Sequence, residues 1–100
     1  MSNKYNIAVV GATGNVGREI VQILVQRNFP VDQVFCLASS RSKGKIIDFK
    51  DQKITVEDLA EFDFSKVHIG LFSPGGKVSA EYVPKAVKNG CIVIDNTSHF

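Results

Sequence analysis

The hydrophobic positions fall into short continuous runs separated by stretches with helical spacing. Tyr5–Val10 is an apolar run that ends on glycine, the pattern of a strand buried on both faces of a parallel sheet. Val16, Ile20, Ile23 and Leu24 then recur at helical spacing, which predicts an amphipathic helix from Asn15 to about Arg27. Asn28-Phe29-Pro30 stops it. Val34–Ala38 forms a second apolar run, with Asp32 before it, and leads into the polar segment Ser39–Gly44.

Beyond that segment, Lys45–Phe49 and Lys53–Val56 read as two strands joined by Lys50-Asp51-Gln52, a hairpin appended to the main pattern. Glu57–Phe64 fits no period, and one helical turn is the most it suggests. Val67–Phe72 is a strand that ends in Ser73-Pro74-Gly75-Gly76. Ser79–Asn89 reads as a helix closed by Asn89-Gly90, with Pro84 implying either a kink or a true start nearer Val83. Ile92–Asp95 is the last strand. Strands alternating with helices predict one α/β domain over residues 1–100, a doubly wound, mostly parallel sheet with a hairpin added.

The 100 residues are 44% hydrophobic and 22% charged, an ordinary globular balance. A net charge of +2 gives no footing for a nucleic-acid or membrane partner. The apolar stretch Ile7–Val10 is too brief for a signal core or a membrane span. Cys36 and Cys91 form no Cys-x-x-Cys pair, and each falls on or beside an expected strand, where cysteine behaves as a small buried hydrophobe. A cytoplasmic protein with reduced thiols is expected. No metal-ligand spacing and no Ser-His-Asp set occurs. His68 opens a strand and reads as structural, and His99 stands without an acid–base partner.

The chemical signal is Gly11-Ala12-Thr13-Gly14-Asn15-Val16-Gly17, set between the first strand and the first helix. Gly11 permits a tight turn off the strand, Gly14 clears backbone for a diphosphate, and Gly17 lets the helix pack closely on the sheet. The N–H groups of Gly14, Asn15 and Val16, at the positive end of a helix dipole, then favour a phosphate anion. Thr13 can add a hydroxyl donor. The spacing is Gly-x-x-Gly-x-x-Gly, and its place between strand and helix is what marks it as a dinucleotide loop.

A site for NAD carries a carboxylate at the end of the second strand to hold the ribose 2′-hydroxyl. Here that end reads Leu37-Ala38-Ser39-Ser40-Arg41-Ser42, with no carboxylate. Arg41, with the hydroxyls of Ser39, Ser40 and Ser42, suits a 2′-phosphate in charge and geometry, which makes NADP the expected cofactor. Lys43 and Lys45 add general positive charge. Two further strand ends, Ser73-Pro74-Gly75-Gly76 and Asn96-Thr97-Ser98, could line the ribose and nicotinamide or could be ordinary turns; pattern alone leaves both readings open.

Four segments together carry a family resemblance: the glycine loop, Ala38-Ser39-Ser40-Arg41-Ser42-Lys43-Gly44-Lys45, Phe72-Ser73-Pro74-Gly75-Gly76-Lys77-Val78-Ser79, and Val93-Ile94-Asp95-Asn96-Thr97-Ser98-His99-Phe100. In order and spacing they resemble the N-terminal, Rossmann-like NADP-binding domain of the aspartate-semialdehyde dehydrogenases. The N-acetyl-glutamyl-phosphate reductases share the glycine loop but usually place a Leu-Ser-Ala type sequence where this chain has Asn96-Thr97-Ser98. A third reading, a non-catalytic NADP sensor, would use a similar Gly-Ala-Thr-Gly loop.

The resemblance implies reduction of L-aspartyl 4-phosphate to L-aspartate 4-semialdehyde with NADPH, releasing phosphate, on the route to lysine, threonine and methionine. A cysteine thiolate would displace phosphate to give a thioester, and a histidine would serve as acid–base group. By motif position, Thr13, Gly14, Asn15 and Val16 would hold the diphosphate, Arg41 and Ser42 the 2′-phosphate, and Ser73, Gly75 and Gly76 the nicotinamide side. The family's nucleophilic cysteine and substrate arginines fall beyond position 100, so these residues are expected to bind cofactor and to catalyse nothing by themselves. The C-terminal catalytic and dimerisation domain is expected to be missing from them, and the full-length protein to be a homodimer or homotetramer.

Overall fold

The structure, a computed structural model, describes residues 4–27, 30–49, 52–72 and 76–95. Strands β1 (Tyr5–Val10), β2 (Val31–Ala38), β5 (Glu57–Asp58), β6 (Ile69–Phe72) and β7 (Ile92–Asp95) form one sheet in the order β5-β2-β1-β6-β7. Every pairing in it is parallel. Strands β3 (Ile46–Phe49) and β4 (Gln52–Thr55) pair antiparallel as the separate hairpin, with Ile47 opposite Ile54. This is the doubly wound α/β architecture with an appended hairpin that the alternation predicts.

β1 lies at the centre because both of its faces are apolar. Ile7 and Val9 belong to a cluster completed by helix α1 (Asn15–Gln26), β2 and the hairpin, while Ala8 and Val10 belong to a second cluster that includes Phe72, Phe64 and Ala86 of helix α2 (Gly76–Lys88). All four β1 residues are at most 1% exposed. Such a strand cannot sit at an edge or face water without exposing an apolar row.

α1 buries Gly17, Ile20, Val21 and Leu24, an i, i+3, i+4, i+7 stripe. Val16 and Ile23, expected on the inner face, are instead 46% and 47% exposed. β2 begins at Val31 rather than Val34, so Asp32 lies within the strand, still remote from its C-terminal end.

α2 also departs from expectation. It starts at Gly76 and runs through Pro84 to Lys88 rather than starting at Ser79 or near Val83. Pro84 has no N–H to give the Ala80 carbonyl, a loss of about 3 kcal/mol in a helix interior, yet Tyr82, Val83 and Ala86 pack against the sheet on either side of it. The end is as expected: Gly90 takes φ 87°, its N–H donates to the Val87 carbonyl (2.9 Å), and the Cys91 N–H donates to the Ala86 carbonyl (3.0 Å). Those crossed bonds close the helix as a Schellman motif.

Glu57–Phe64 resolves into the short edge strand β5 and two 3-10 turns, Leu59–Glu61 and Phe64–Lys66. An aspartate caps each turn: Asp58 accepts from the Ala60 N–H (3.0 Å) and Asp63 from the Ser65 N–H (2.9 Å). At the opposite edge of the sheet from the glycine loop, His68 Nδ1 accepts the Asn6 N–H (2.9 Å), the structural role its position suggests.

Candidate cofactor-binding site

The glycine loop leaves β1 at the C-terminal edge of the sheet, next to where the strand order reverses from β1 to β6; in open parallel sheets this is where ligands bind. Gly11 adopts φ 82°, a conformation that disfavours a side chain. Its N–H and that of Ala12 both donate to the Leu37 carbonyl, at 2.8 and 3.2 Å, which ties the turn to the end of β2.

Gly17 is buried under the turn. A Cβ there would lie 2.7 Å from Ala12 Cα and 2.8 Å from the Gly11 carbonyl carbon, so only glycine fits. Gly14 differs. Its φ of −80° and ψ of 170° suit any residue, and a Cβ would meet only the Gly11 oxygen at an ordinary 3.5 Å. Nothing among the described residues demands glycine at that exposed position.

Gly14 also corrects one expectation. Its N–H donates to the Gly11 carbonyl (3.1 Å) and so closes the turn instead of facing a ligand. The outward donors therefore start at Asn15 and Val16, whose N–H groups precede the first intrahelical bond, Arg18 N–H to Gly14 carbonyl at 3.0 Å. Among the described residues no side chain caps this helix end, and its first turn carries no carboxylate, so none of them neutralises the positive end of the dipole.

Ser40–Ser42 forms a 3-10 turn directly after β2. Ser42 Oγ lies 3.4 Å from Thr13 Oγ1, so the arginine-bearing turn abuts the glycine loop. Ser39, Ser40 and Arg41 are exposed, and Ser42 is half-buried. Arg41 flanks the neighbouring groove rather than lining it. Lys43 is drawn off to Glu61 (3.2 Å), a surface ion pair.

A groove of about 590 Å³ runs from Gly11, Thr13 and Gly14 across Ala38, Ser39 and Ser40 to Asp58, Leu59, Ala60, Glu81 and Tyr82. The last five were not anticipated from sequence, because they come from β5, the turn after it and α2. The Tyr82 hydroxyl is pushed up chiefly by burial, then by the charge of Glu81, by a hydrogen bond to Glu81, and by the charge of Asp58. Gly76 opens α2; Ser73, Gly75, Asn96-Thr97-Ser98 and His99 lie outside the described residues.

The cysteines stand apart from this groove. Burial pushes the Cys36 thiol up to about 11. Burial also raises Cys91, whose Sγ donates to the Phe64 and Val67 carbonyls at 3.2 and 3.3 Å. Thiols held protonated in this way are poor nucleophiles. Among the described residues no group of three or more His, Cys, Asp or Glu could hold a metal ion, and no helix is long and apolar enough to cross a membrane.

The family model for the semialdehyde dehydrogenase NAD-binding domain matches residues 6–100. The chain belongs to that family. Aspartate-semialdehyde dehydrogenase of Legionella pneumophila is 59% identical over 100 residues, covering all of this chain and 29% of that protein. Aspartate-semialdehyde dehydrogenase 2 of Vibrio cholerae is 51% identical, again over the whole chain and 30% of the relative. The chain thus spans about 30% of the length of the curated relatives it matches.

Solved structures of the family superpose closely. The crystal structure of aspartate semialdehyde dehydrogenase II complexed with ASA from Vibrio cholerae matches with a TM-score of 0.94 at 50% identity, over 98% of this chain and 32% of that one. The Candida albicans enzyme with NADP shares the fold at a TM-score of 0.79 and 23% identity, over 96% of this chain and 30% of that one.

Proposed function

We propose that residues 1–100 are the NADP-binding domain of an aspartate-semialdehyde dehydrogenase. The supporting observation is the Thr13–Ser42 approach, which brings a glycine loop and an arginine-bearing turn to one end of the sheet where β2 carries no carboxylate. A diphosphate over the loop and a phosphate on the adenosine ribose would then both meet positive potential.

Gly14 tests the fit. Its backbone and its surroundings among the described residues would accept a side chain, and an approaching ligand supplies a reason for glycine at that point. Asn15 and Val16 N–H, with the Thr13 hydroxyl, are assigned to the diphosphate; Ser39, Arg41 and Ser42 to the 2′-phosphate. Gly11 shapes the turn that presents them. Ser73, Gly75 and Gly76 are assigned to the nicotinamide side by their position after β6, the strand beside β1.

In the full-length protein the reaction is reductive dephosphorylation of L-aspartyl 4-phosphate to L-aspartate 4-semialdehyde, a step towards lysine, threonine and methionine. The cofactor supplies the hydride for that reaction. The part of this chain is to bind and orient, since neither Cys36 nor Cys91 is placed or ionised as a nucleophile. The names carried by the relatives favour this substrate over the glutamyl-phosphate alternative and over a non-catalytic sensor. A cytoplasmic homodimer or homotetramer is the assembly proposed for the whole enzyme.

Calorimetric titration of the chain with NADP and NAD tests the cofactor reading. NADP is expected to bind about 10- to 100-fold more tightly, the worth of a charged hydrogen bond. Equal affinity for the two would sink the 2′-phosphate assignment, and no binding of either would sink the site.

A further inference from the structure

Resting on the dinucleotide reading above, the groove holds a feature that reading leaves unused: a carboxylate at its far end. Asp58 closes β5 and stands opposite Ala38 in the β2–β5 register, while Leu37 of β2 accepts the Gly11 N–H. Three strand ends therefore lie in a row, with the glycine loop on β1, the serine–arginine turn on β2 and Asp58 on β5. Two inter-strand spacings, about 10 Å, separate the first from the last.

That row matches the order of parts in an adenosine diphosphate. With the diphosphate over β1 and the phosphorylated ribose over the end of β2, the base falls over β5. A carboxylate cannot favourably face a phosphate, but it suits the one part of such a ligand that carries an N–H donor and no charge. The walls agree: Ala38 and Leu59 are buried and apolar, and Ala60 and the Tyr82 ring line the same end, as a flat ring requires. One Asp58 oxygen accepts the Ala60 N–H (3.0 Å), which holds the carboxylate in place and leaves it further acceptor capacity.

We infer that Asp58 reads the exocyclic amine of the purine, making the groove selective for adenine over a base that presents a carbonyl oxygen there. Asp58 is a specificity-determining residue; Glu81, which lines the same groove, supports the same negative potential from the α2 side. A hypoxanthine base would set its ring carbonyl against the carboxylate, acceptor to acceptor.

The test titrates the chain with NADP and with its deamino analogue, nicotinamide hypoxanthine dinucleotide phosphate. The unmodified chain is expected to prefer NADP by about 10- to 100-fold, from loss of a charge-assisted hydrogen bond. Asp58→Asn keeps an oxygen for the Ala60 cap and can turn an amide N–H₂ towards a carbonyl, so its preference should fall below about threefold. A wild-type ratio near one overturns the inference without any variant, and leaves NADP binding itself standing. An undiminished ratio in Asp58→Asn also overturns it. If neither dinucleotide binds, the inference fails together with the proposed function.

Discussion

Thr13 Oγ1 and Ser42 Oγ lie 3.4 Å apart across 29 residues of sequence. That approach follows from the sheet: β1 and β2 are parallel neighbours, so the turns at their C-terminal ends emerge side by side. Arg41 is carried to the same edge by the 3-10 turn Ser40–Ser42. Its guanidinium is exposed and so costs little to bring to a ligand.

Arg41→Ala is therefore expected to weaken NADP binding by about 1–3 kcal/mol and to leave NAD binding nearly unchanged. Thermal stability should move little, because the side chain removed is exposed and has no structural partner among the described residues. Isothermal titration with both cofactors checks this, and equal losses for the two would refute the role. Arg41→Lys should recover charge but not the two-pronged geometry, giving an intermediate affinity.

The surface pair Lys43–Glu61 offers a contrast on the neighbouring turn. Its side chains are 59% and 68% exposed, and exposed pairs contribute about 0–1 kcal/mol. Glu61→Gln should leave urea denaturation midpoints almost unaltered at physiological salt. A loss of more than about 1 kcal/mol would show that the pair holds the serine–arginine turn in place.

The buried thiols make stability depend on alkaline pH. Cys36 is fully buried, and its pKa rises from the ordinary thiol value to about 11 through burial alone. Between the unfolded value near 9 and the folded value near 11, the unfolded chain has lost the Cys36 proton and the native chain keeps it. The native state then binds more protons, so stability falls as pH rises through this window and levels off above it. Two pKa units correspond to about 3 kcal/mol, and Cys91 is shifted in the same direction. Chemical denaturation from pH 8 to 11 should show a steeper decline for the native sequence than for Cys36→Ala. Identical slopes would mean that Cys36 ionises as freely in the folded chain as in the unfolded one.

Much of this arrangement could be read from sequence where a run of side chains decides the outcome alone. β1 and β7 have the expected bounds because their apolar runs end at Gly11 and begin after Asn89-Gly90. The glycine loop and Ser39–Ser42 were legible as turns at neighbouring strand ends because each directly follows an apolar run. β5 was not, since two polar residues, Glu57 and Asp58, carry no period; their strand character comes from pairing with Leu37 and Ala38. The early start of α2 was hidden by Pro84, whose local cost is offset by packing that only the folded sheet supplies. Asp58, Glu81 and Tyr82 escaped notice at the site for a related reason. Distant segments meet there, and no local spacing announces it.

Gly14 and Gly17 share one loop yet answer to different demands, and alanine should separate them. At Gly17 a methyl group would press on backbone atoms of Gly11 and Ala12 that cannot move without displacing the turn. Overpacking of this kind costs about 1–3 kcal/mol or more, so Gly17→Ala should lower the melting temperature and weaken NADP indirectly. At Gly14 the backbone already suits alanine and the methyl meets one oxygen at 3.5 Å. Gly14→Ala should therefore keep stability within about 0.5 kcal/mol, while a methyl facing the diphosphate lowers NADP affinity at least about tenfold, or 1.4 kcal/mol. Melting curves and titrations on the two variants read stability and affinity separately. If Gly14→Ala binds NADP as tightly as the unmodified chain, the diphosphate does not lie over this loop, however well the turn resembles a cradle.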